Sequence, residues 1–443
     1  MSSEWINTIL GDFLNLKRGY DLPKTKRKDG NVPIISSSGY SGVHDKSMAK
    51  GPGVVTGRYG TIGEVFYIPE DYWPLNTTLY IEDFKGNSPL FSYYLLQTID
   101  FHAYSDKAAV PGINRNHVHM ANVRVPNSII TQERIASFLK KIEDKITSNK
   151  KINQTLEQMA QALFKSWFVD FEPVKAKIAV LEAGGSQEES TLAAMTAISG
   201  KDADSLVVLE QEKPEKFAEL KATAELFPSA MQDSELGDLP AGWNTGPLSD
   251  IAIFSKGKIE VSKLTTDTYI STENMLENKI GISQASSLPS ANTVPNFSAG
   301  NILISNIRPY FKKIWLASFS GGRSADVLAF EGKTNITVEF LYNLLYQDVF
   351  FDFMMLTSKG VKMPRGDKTA IMGWPCIQPE EKLLKVFSRR VKQFYFYIES
   401  HNSENKYLTE LRNTLLPKLL TGEFDLATEN KNCSQNHEVS RNE

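Results

Sequence analysis

The sequence predicts an α+β protein in which two globular α/β domains are joined by two long helices, forming an antiparallel coiled coil with a pseudo-twofold relation between its halves. Three observations predict it. Phe91-Ser92-Tyr93-Tyr94-Leu95-Leu96 returns as Phe340-Leu341-Tyr342-Asn343-Leu344-Leu345, and Pro126 returns as Pro375, both at an offset of 249 residues. After each copy the apolar residues recur in alternating steps of three and four, the mark of a helix seam. Before each seam the chain reads as short β-type runs punctuated by Gly, Pro, Asn and Asp.

Residues 1–126 form the first globular domain. Asn31-Val32-Pro33-Ile34-Ile35, Gly53-Val54-Val55-Thr56, Glu64-Val65-Phe66-Tyr67-Ile68 and Thr78-Leu79-Tyr80-Ile81 are strand-like, and a helix is expected from Ser88 to Leu96. Residues 127–172 hold the first long helix. Its seam runs through Ile135, Leu139, Ile142, Ile146, Asn149, Asn153, Leu156, Ala160, Leu163 and Trp167. Thirty-eight residues from Thr131 to Phe168 make a rod of about 57 Å, too long for the core of one domain.

Residues 173–238 are rich in Ala and Glu and read either as a partly ordered linker or as a helical insertion, with short helices on a neighbour favoured. Residues 239–376 repeat the first domain, Gly300 to Arg308 mirroring Gly53 to Arg58, so that Arg58-Tyr59-Gly60 is matched with Arg308-Pro309-Tyr310. Residues 377–425 repeat the helix, with Pro379 placed for its first turn. This second seam passes Leu384, Phe387, Val391, Phe394, Ile398, His401, Asn405, Leu408, Arg412, Leu415 and Leu419, and Pro417 is expected to kink or end it. Residues 426–443 read as a disordered tail.

Both seams are apolar at their ends and polar in the middle. If the helices run antiparallel, Asn149, Asn153, His401 and Asn405 meet, and buried polar residues at seam positions fix register at some cost in stability. Two copies of one module suit a partner with two separated sites, and duplex DNA read at two half-sites is such a partner.

A chain of 443 residues can bury two or three cores, and 41% hydrophobic residues is ordinary for a globular protein. No stretch approaches eighteen uninterrupted apolar residues and the start lacks a signal-like run, so a cytosolic protein with no membrane partner is expected. Cys376 and Cys433 stand far apart without ligands at metal spacing and read as free thiols. The net charge of −3 is unevenly divided: Lys175 to Asp238 holds thirteen acidic and six basic residues, a net of −7, which leaves +4 elsewhere. Lys17, Arg18, Lys24, Lys26, Arg27 and Lys28 form a local basic run able to meet phosphates.

Enzyme motifs do not emerge. Asn-Pro-Pro-Phe and Asp-Pro-Pro-Tyr strings of amino methyltransferases are absent from the sequence. Gly332-Lys333-Thr334 would need a glycine at 327 to end a P-loop, and that residue is Val327. His117-Val118-His119 lacks a third ligand nearby. No metal site and no catalytic group is expected.

Gly19-Tyr20-Asp21-Leu22-Pro23-Lys24, Ile34-Ile35-Ser36-Ser37-Ser38-Gly39, Gly57-Arg58-Tyr59-Gly60-Thr61-Ile62-Gly63, Leu75-Asn76-Thr77-Thr78-Leu79, Val110-Pro111-Gly112-Ile113-Asn114-Arg115, Ser166-Trp167-Phe168-Val169-Asp170-Phe171 and Ser234-Glu235-Leu236-Gly237-Asp238-Leu239-Pro240-Ala241-Gly242-Trp243 give the chain its family likeness. In order, around two long helices, they resemble the specificity subunits of type I restriction-modification systems, over nearly the whole chain to Asp425. The resemblance implies that each globular domain is a target recognition domain reading half of a split sequence in double-stranded DNA, with the helices as spacer. It implies a non-catalytic subunit of a bacterial or archaeal cytoplasm. Its partners would be two modification (methyltransferase) subunits and the restriction subunits that translocate and cut. No cofactor is expected in this chain; S-adenosylmethionine, ATP and Mg belong to the partners.

Base readout calls for Arg, Lys, Asn, Ser or Thr on loops, and phosphate contact for positive charge. In the first domain Lys17, Arg18, Lys24, Lys26 and Lys28 are the backbone candidates. Ser36, Ser37, Ser38, Tyr40, Arg58, Tyr59, Asn76, Lys107, Asn114 and Arg115 are candidates for bases or backbone. In the second domain they are Lys256, Lys258, Asn306, Arg308, Tyr310, Lys312, Lys313, Arg323, Ser324, Lys359, Lys362, Arg365 and Lys368. Trp167, Phe168 and Phe171 are read as docking surface for modification subunits, with packing against the domains as the alternative. The rival function is a coiled-coil adaptor whose duplicated heads bind protein or another ligand.

Overall fold

The computed structural model describes residues 5–105, 112–360, 362–424 and 426. Internal contacts divide the chain into two units, Met1–Lys150 with Asn402–Glu443, and Lys151–His401. Each unit holds one head and parts of both long helices.

The first head is built on a four-stranded antiparallel sheet in the order Asn15–Arg18, Thr78–Asp83, Gly53–Gly57, Val65–Ile68. Gly53–Gly57 is buried along its whole length, because side chains alternate between two covered faces. Val54 joins Leu16, Leu79 and Ile81 against Phe91, Tyr94, Leu95 and Leu96 of the helix Pro89–Gln97. Val55 points the other way, toward Ile35, Tyr72 and Tyr80. That second layer includes Gly39–His44, Val32–Ser36 and Trp73–Pro74, the last two strands pairing in parallel. The helix starts where Ser88 accepts from the Phe91 amide at 3.3 Å, with Pro89 in the first turn. Trp5–Ile9 pairs with Asn122–Pro126 beside the sheet.

The second head repeats this order with Ala252–Phe254, Val327–Gly332, Ile302–Ser305 and Ile314–Leu316, followed by the helix Val338–Tyr346. A ribbon of Asn244–Pro247 and Pro375–Gln378 corresponds to the first head's Trp5 ribbon. The hydrogen-bond ladder corrects the match made from sequence. Gly57 and Arg58 amides donate to Glu64 and Thr77 carbonyls, and Ser305 and Asn306 amides donate to Lys313 and Asp326 carbonyls. Arg58 therefore corresponds to Asn306, and the loop that follows is one residue longer in the second head, from Ser305 to Lys313 against Gly57 to Glu64. Apolar patterning alone could not fix a register that backbone groups set.

Residues 173–238 are no linker. Glu172–Glu182, Gln187–Ser199, Ala203–Glu212 and Pro214–Glu225 are helices. Ser186 and Glu189 form a capping box, Asp202 caps the third helix, and Gly200 ends the second in a left-handed conformation. These helices seat on an aromatic cluster. The Trp167 ring lies 5.1 Å from Phe227, while Phe168 packs on Trp243, Phe340 and Phe387. Trp167 and Phe168 are fully buried and Phe171 abuts Trp243, so their reading as free docking surface is corrected in favour of packing.

The long helices span Ile129–Phe168 and Glu381–Thr421. Pro417 neither ends nor breaks the second. Leu416, Leu419 and Leu420 are buried in the first head's core and hold the last turn in place. Within the first unit the helices run antiparallel, since Glu143 pairs with Arg412 while Lys145 pairs with Glu404. The same direction holds in the second unit, where Asn153 meets His401 and Phe164 meets Phe387.

The polar seam residues do meet. In the first unit Asn149 Nδ2 donates to Asn405 Oδ1 at 3.0 Å and to Glu404 Oε2 at 2.7 Å. In the second, His401 Nδ1 donates to Asn153 Oδ1 at 2.8 Å, and Asn153 Nδ2 reaches the Ile398 carbonyl at 3.4 Å. Asn149 is wholly buried and Asn405 is 9% exposed, so removing one partner strands the other's polar atoms. Asn405→Leu is expected to cost about 1–3 kcal/mol, whereas Asn149→Leu with Asn405→Leu returns stability to the parent level or above. Denaturant midpoints of the four full-length proteins check this; additive losses would remove the pairing argument.

A second polar network lies in the Lys151–His401 unit. Gln161 Nε2 donates to Asn343 Oδ1 at 2.7 Å and to Glu157 Oε1 at 3.2 Å, and Asn343 Nδ2 donates to Tyr395 Oη at 2.8 Å. Burial pushes the Glu157 carboxyl up from 4.5 to about 7, against the lowering effects of the Gln161 bond and Lys279. A raised carboxyl value favours the protonated native state, so its stabilisation is present below 4.5 and is lost as pH rises through about 7. Glu157→Gln should match the parent at pH ~4 and exceed it by about 1–3 kcal/mol at pH ~8. Equal denaturation midpoints at both pH values would contradict this.

Candidate nucleic-acid interface

In the first head the chain leaves the buried central strand into the loop 57–63, and three other segments converge on it. The Arg58 and Tyr59 amides donate to the Thr77 carbonyl at 2.9 and 3.2 Å, and Ile113 N donates to Arg58 O at 3.1 Å. Arg58 Nε returns to Ile113 O at 3.3 Å while its guanidinium lies 4.5 Å from the centre of the Tyr59 ring. Gly112 faces that ring so closely that a Cβ would stand 2.2 Å from it. Leu75 N donates to Ile35 O at 2.8 Å, which brings the turn 36–38 alongside. Ser36 Oγ donates to Gly39 O at 2.9 Å and accepts from Ser38 N at 3.4 Å; Tyr40 stands 68% exposed.

The structure therefore brings Ser36, Ser37, Ser38, Tyr40, Arg58, Tyr59, Asn76 and Asn114 into one loop cluster, with different degrees of freedom. Asn76 Nδ2 is hydrogen-bonded to Asp21, and Asn114 Oδ1 accepts from Asn116 N at 3.0 Å as the cap of helix Arg115–His119. Arg58 is half-buried and braces the loop. Arg18 and Arg115 are exposed. Lys24 and Lys26 lie on an exposed 3-10 turn with Lys28 just beyond, 4.0 Å from Asp45. Lys17 is held by Glu82 at 2.5 Å, and that bond raises its pKa. Lys107 lies outside the described residues.

His119 belongs to the fold. Its Nε2 accepts from the Leu16 amide at 2.9 Å, and burial, with Arg115 and Lys85 nearby, lowers its pKa.

In the second head the corresponding loop 306–313 is tied down more tightly. Asn306 is buried, donating Nδ2 to Gly366 O at 3.1 Å and accepting from Gly366 N at 3.3 Å. Arg323 is 8% exposed and gives its guanidinium to the carbonyls of Val327, Asn296 and Ser255 at 2.5, 3.1 and 3.2 Å. Both side chains are turned inward to main-chain groups: Asn306 to Gly366, and Arg323 to carbonyls of two strands and the Ser255 turn. Burial lowers the Arg323 pKa. Lys313 Nζ donates to Thr272 O at 2.8 Å, Lys312 pairs with Asp348 at 3.0 Å, and Arg365 pairs with Asp326 at 2.6 Å. Lys359 is paired with Asp367, and Ser324 Oγ accepts from Asp326 N at 3.2 Å. Lys256, Lys258, Lys362 and Lys368 are exposed. Arg308 Nη1 donates to Tyr310 Oη at 3.0 Å, and Tyr310 is 46% exposed.

Residue type gave no signal for Thr77 and Asp326, whose main-chain carbonyls anchor the two loops. Asp21, the partner of Asn76, is visible in sequence only as one acid among basic neighbours.

Two heads of one topology, each ending in a braced cluster of basic and hydroxyl side chains, define a duplicated recognition scaffold. Residues 2–158 match the family model described as the type I restriction modification DNA specificity domain. The chain is 33% identical over 339 residues to the Type I restriction enzyme HindI specificity subunit of Haemophilus influenzae, covering 73% of each. It is 35% identical over 89 residues to the MjaIX specificity subunit of Methanocaldococcus jannaschii, 19% of this chain and 20% of that one. In fold it is similar to the crystal structure of a type I restriction-modification S subunit from M. genitalium, at TM-score 0.54 and 15% identity over 95% and 96% of the chains. The chain belongs to the specificity subunits of type I restriction enzymes.

Arg323→Met should destabilise the protein by about 2–4 kcal/mol, since buried carbonyls lose their charged donor. Denaturant midpoints check this, and a loss below about 1 kcal/mol would restore Arg323 as a free surface cation.

Proposed function

We propose that each head reads one half of a split, asymmetric sequence in double-stranded DNA, and that the chain performs no chemistry itself. The observation that carries this reading is a shared frame with different side chains at equivalent places. Arg58 stands where the second head has Asn306, and the loop beyond it is one residue longer in the second head. The exposed Lys24-Thr25-Lys26 turn of the first head has Val261-Ser262-Lys263 as its 3-10 counterpart. Equal frames with unequal readers fit two different half-sites.

The long helices, about 60 Å each at 1.5 Å per residue, act in this reading as the spacer that sets the unread gap. Two modification subunits dock on the scaffold, bind S-adenosylmethionine and methylate adenine; restriction subunits use ATP and Mg to translocate and cut. The subunit works with them in the cytoplasm. No helix among the described residues is long and apolar enough to cross a membrane. The acidity of residues 173–238 makes their helices a poor surface for phosphate.

Methylome sequencing of cells carrying the neighbouring methyltransferase gene, with and without this chain, tests the proposal. One bipartite adenine-methylation motif is expected only when the chain is present, and the absence of any such motif would defeat the reading. Seven residues added to each long helix should lengthen the unread gap and leave both half-sites intact. An unchanged gap would remove the spacer role.

A further inference from the structure

We propose that Arg308 is a guanine reader, held ready for one base pair in one half of the target by Tyr310 and Phe311. This rests on the DNA-recognition reading above and adds a residue, a base and a geometry to it.

The loop that carries Arg308 is fixed before any DNA arrives. Ser305 Oγ donates to Ile307 O at 2.6 Å, and Asn306 is bound to Gly366 through both main chain and side chain. Pro309 opens a 3-10 turn closed by Lys312 N on Pro309 O at 2.9 Å. From outside the loop, Asn278 N donates to Phe311 O at 2.8 Å and Lys279 N to Lys312 O at 2.9 Å. A side chain on such a turn loses little further freedom on binding.

The neighbouring cations answer to internal partners. Arg323, Arg365, Lys312 and Lys313 are engaged by carbonyls or carboxylates of the same head. Arg308 differs, because its contacts carry no charge: the Tyr310 hydroxyl at 3.0 Å and the Phe311 ring, centred 6.0 Å from the guanidinium carbon. Tyr310 and Phe311 pack against each other with their rings tilted by 53° and their centroids 4.5 Å apart. The hydroxyl engages Nη1, which leaves the edge formed by Nε and Nη2 with two parallel donors in one plane. Guanine presents two acceptors, O6 and N7, side by side in the major groove, and a forked guanidinium is the side chain that meets both.

The test uses the assembled complex with its modification subunits and reads the methylated motif by sequencing. Arg308→Ala and Arg308→Lys should both relax a single G·C position in one half of the motif, with the other half and the gap unchanged. Preference for the original base at that position should fall on the order of tenfold or more. Tyr310→Phe should relax the same position to a smaller degree. Full retention of the motif by Arg308→Lys overturns the proposal, since a point charge would then suffice. So does a uniform fall in methylation at every site with the motif unaltered, which marks a phosphate contact. If Arg308→Ala abolishes methylation altogether, Arg308→Lys and Tyr310→Phe decide by the same criteria. A parent complex with no bipartite motif would defeat the DNA-recognition reading itself, an outcome distinct from these.

Discussion

The amide that follows the buried central strand donates in each head to a carbonyl of the neighbouring turn: Arg58 to Thr77 at 2.9 Å, Asn306 to Asp326 at 2.8 Å. Everything at the proposed interface depends on this bond. The strand before it cannot shift, because Gly53–Gly57 and Ile302–Ser305 are buried on both faces. A strand fixed by packing and an exit fixed by a main-chain bond give the next residues a fixed height above the sheet. Loops that carry recognition need such a scaffold, since a mobile loop would pay its ordering entropy at each binding event.

Much of this frame was legible in the sequence, for definite reasons. The repeat of Phe91 to Leu96 as Phe340 to Leu345 marks helices that face their sheets through large apolar side chains, a pattern burial demands. Seam spacing revealed both long helices and their polar centre. The register between heads was not legible, because it is carried by backbone donors and acceptors that every residue possesses. Arg58 and Arg308 look alike as letters, yet the ladder sets Arg58 opposite Asn306. The burial of Arg323 and Asn306 was hidden for the same reason: a main-chain carbonyl that will accept from a side chain has no signature in composition. Pro417 does not end the helix because tertiary contacts outweigh the proline's local cost, with Leu416, Leu419 and Leu420 buried around it.

The helices obey a different constraint. An all-apolar seam would have no reason to prefer one axial register, because neighbouring heptads are interchangeable. Asn149 with Asn405, and Asn153 with His401, make a slipped register expose unmatched donors to an apolar partner. Such pairs add little net stability. Their effect is to penalise the alternatives, which is the property required of helices whose length is to be read as a distance.

Specificity can then change without disturbing the fold, and the chemistry of the frame explains why. At the exit of each central strand the contacts that set position are made chiefly by main-chain groups, which substitution leaves in place. The side chain at that point can be a long cation stacked on Tyr59 or a short amide bound to Gly366, and the strand order of the two heads remains the same. Beyond that point the second head's loop is one residue longer and carries an arginine braced by Tyr310. Had the loops been positioned by a side-chain network, each new reader would have required a new set of partners, and divergence would have been limited by stability. A backbone-positioned loop removes that coupling, so two copies of one module can hold the same geometry while presenting different surfaces to DNA.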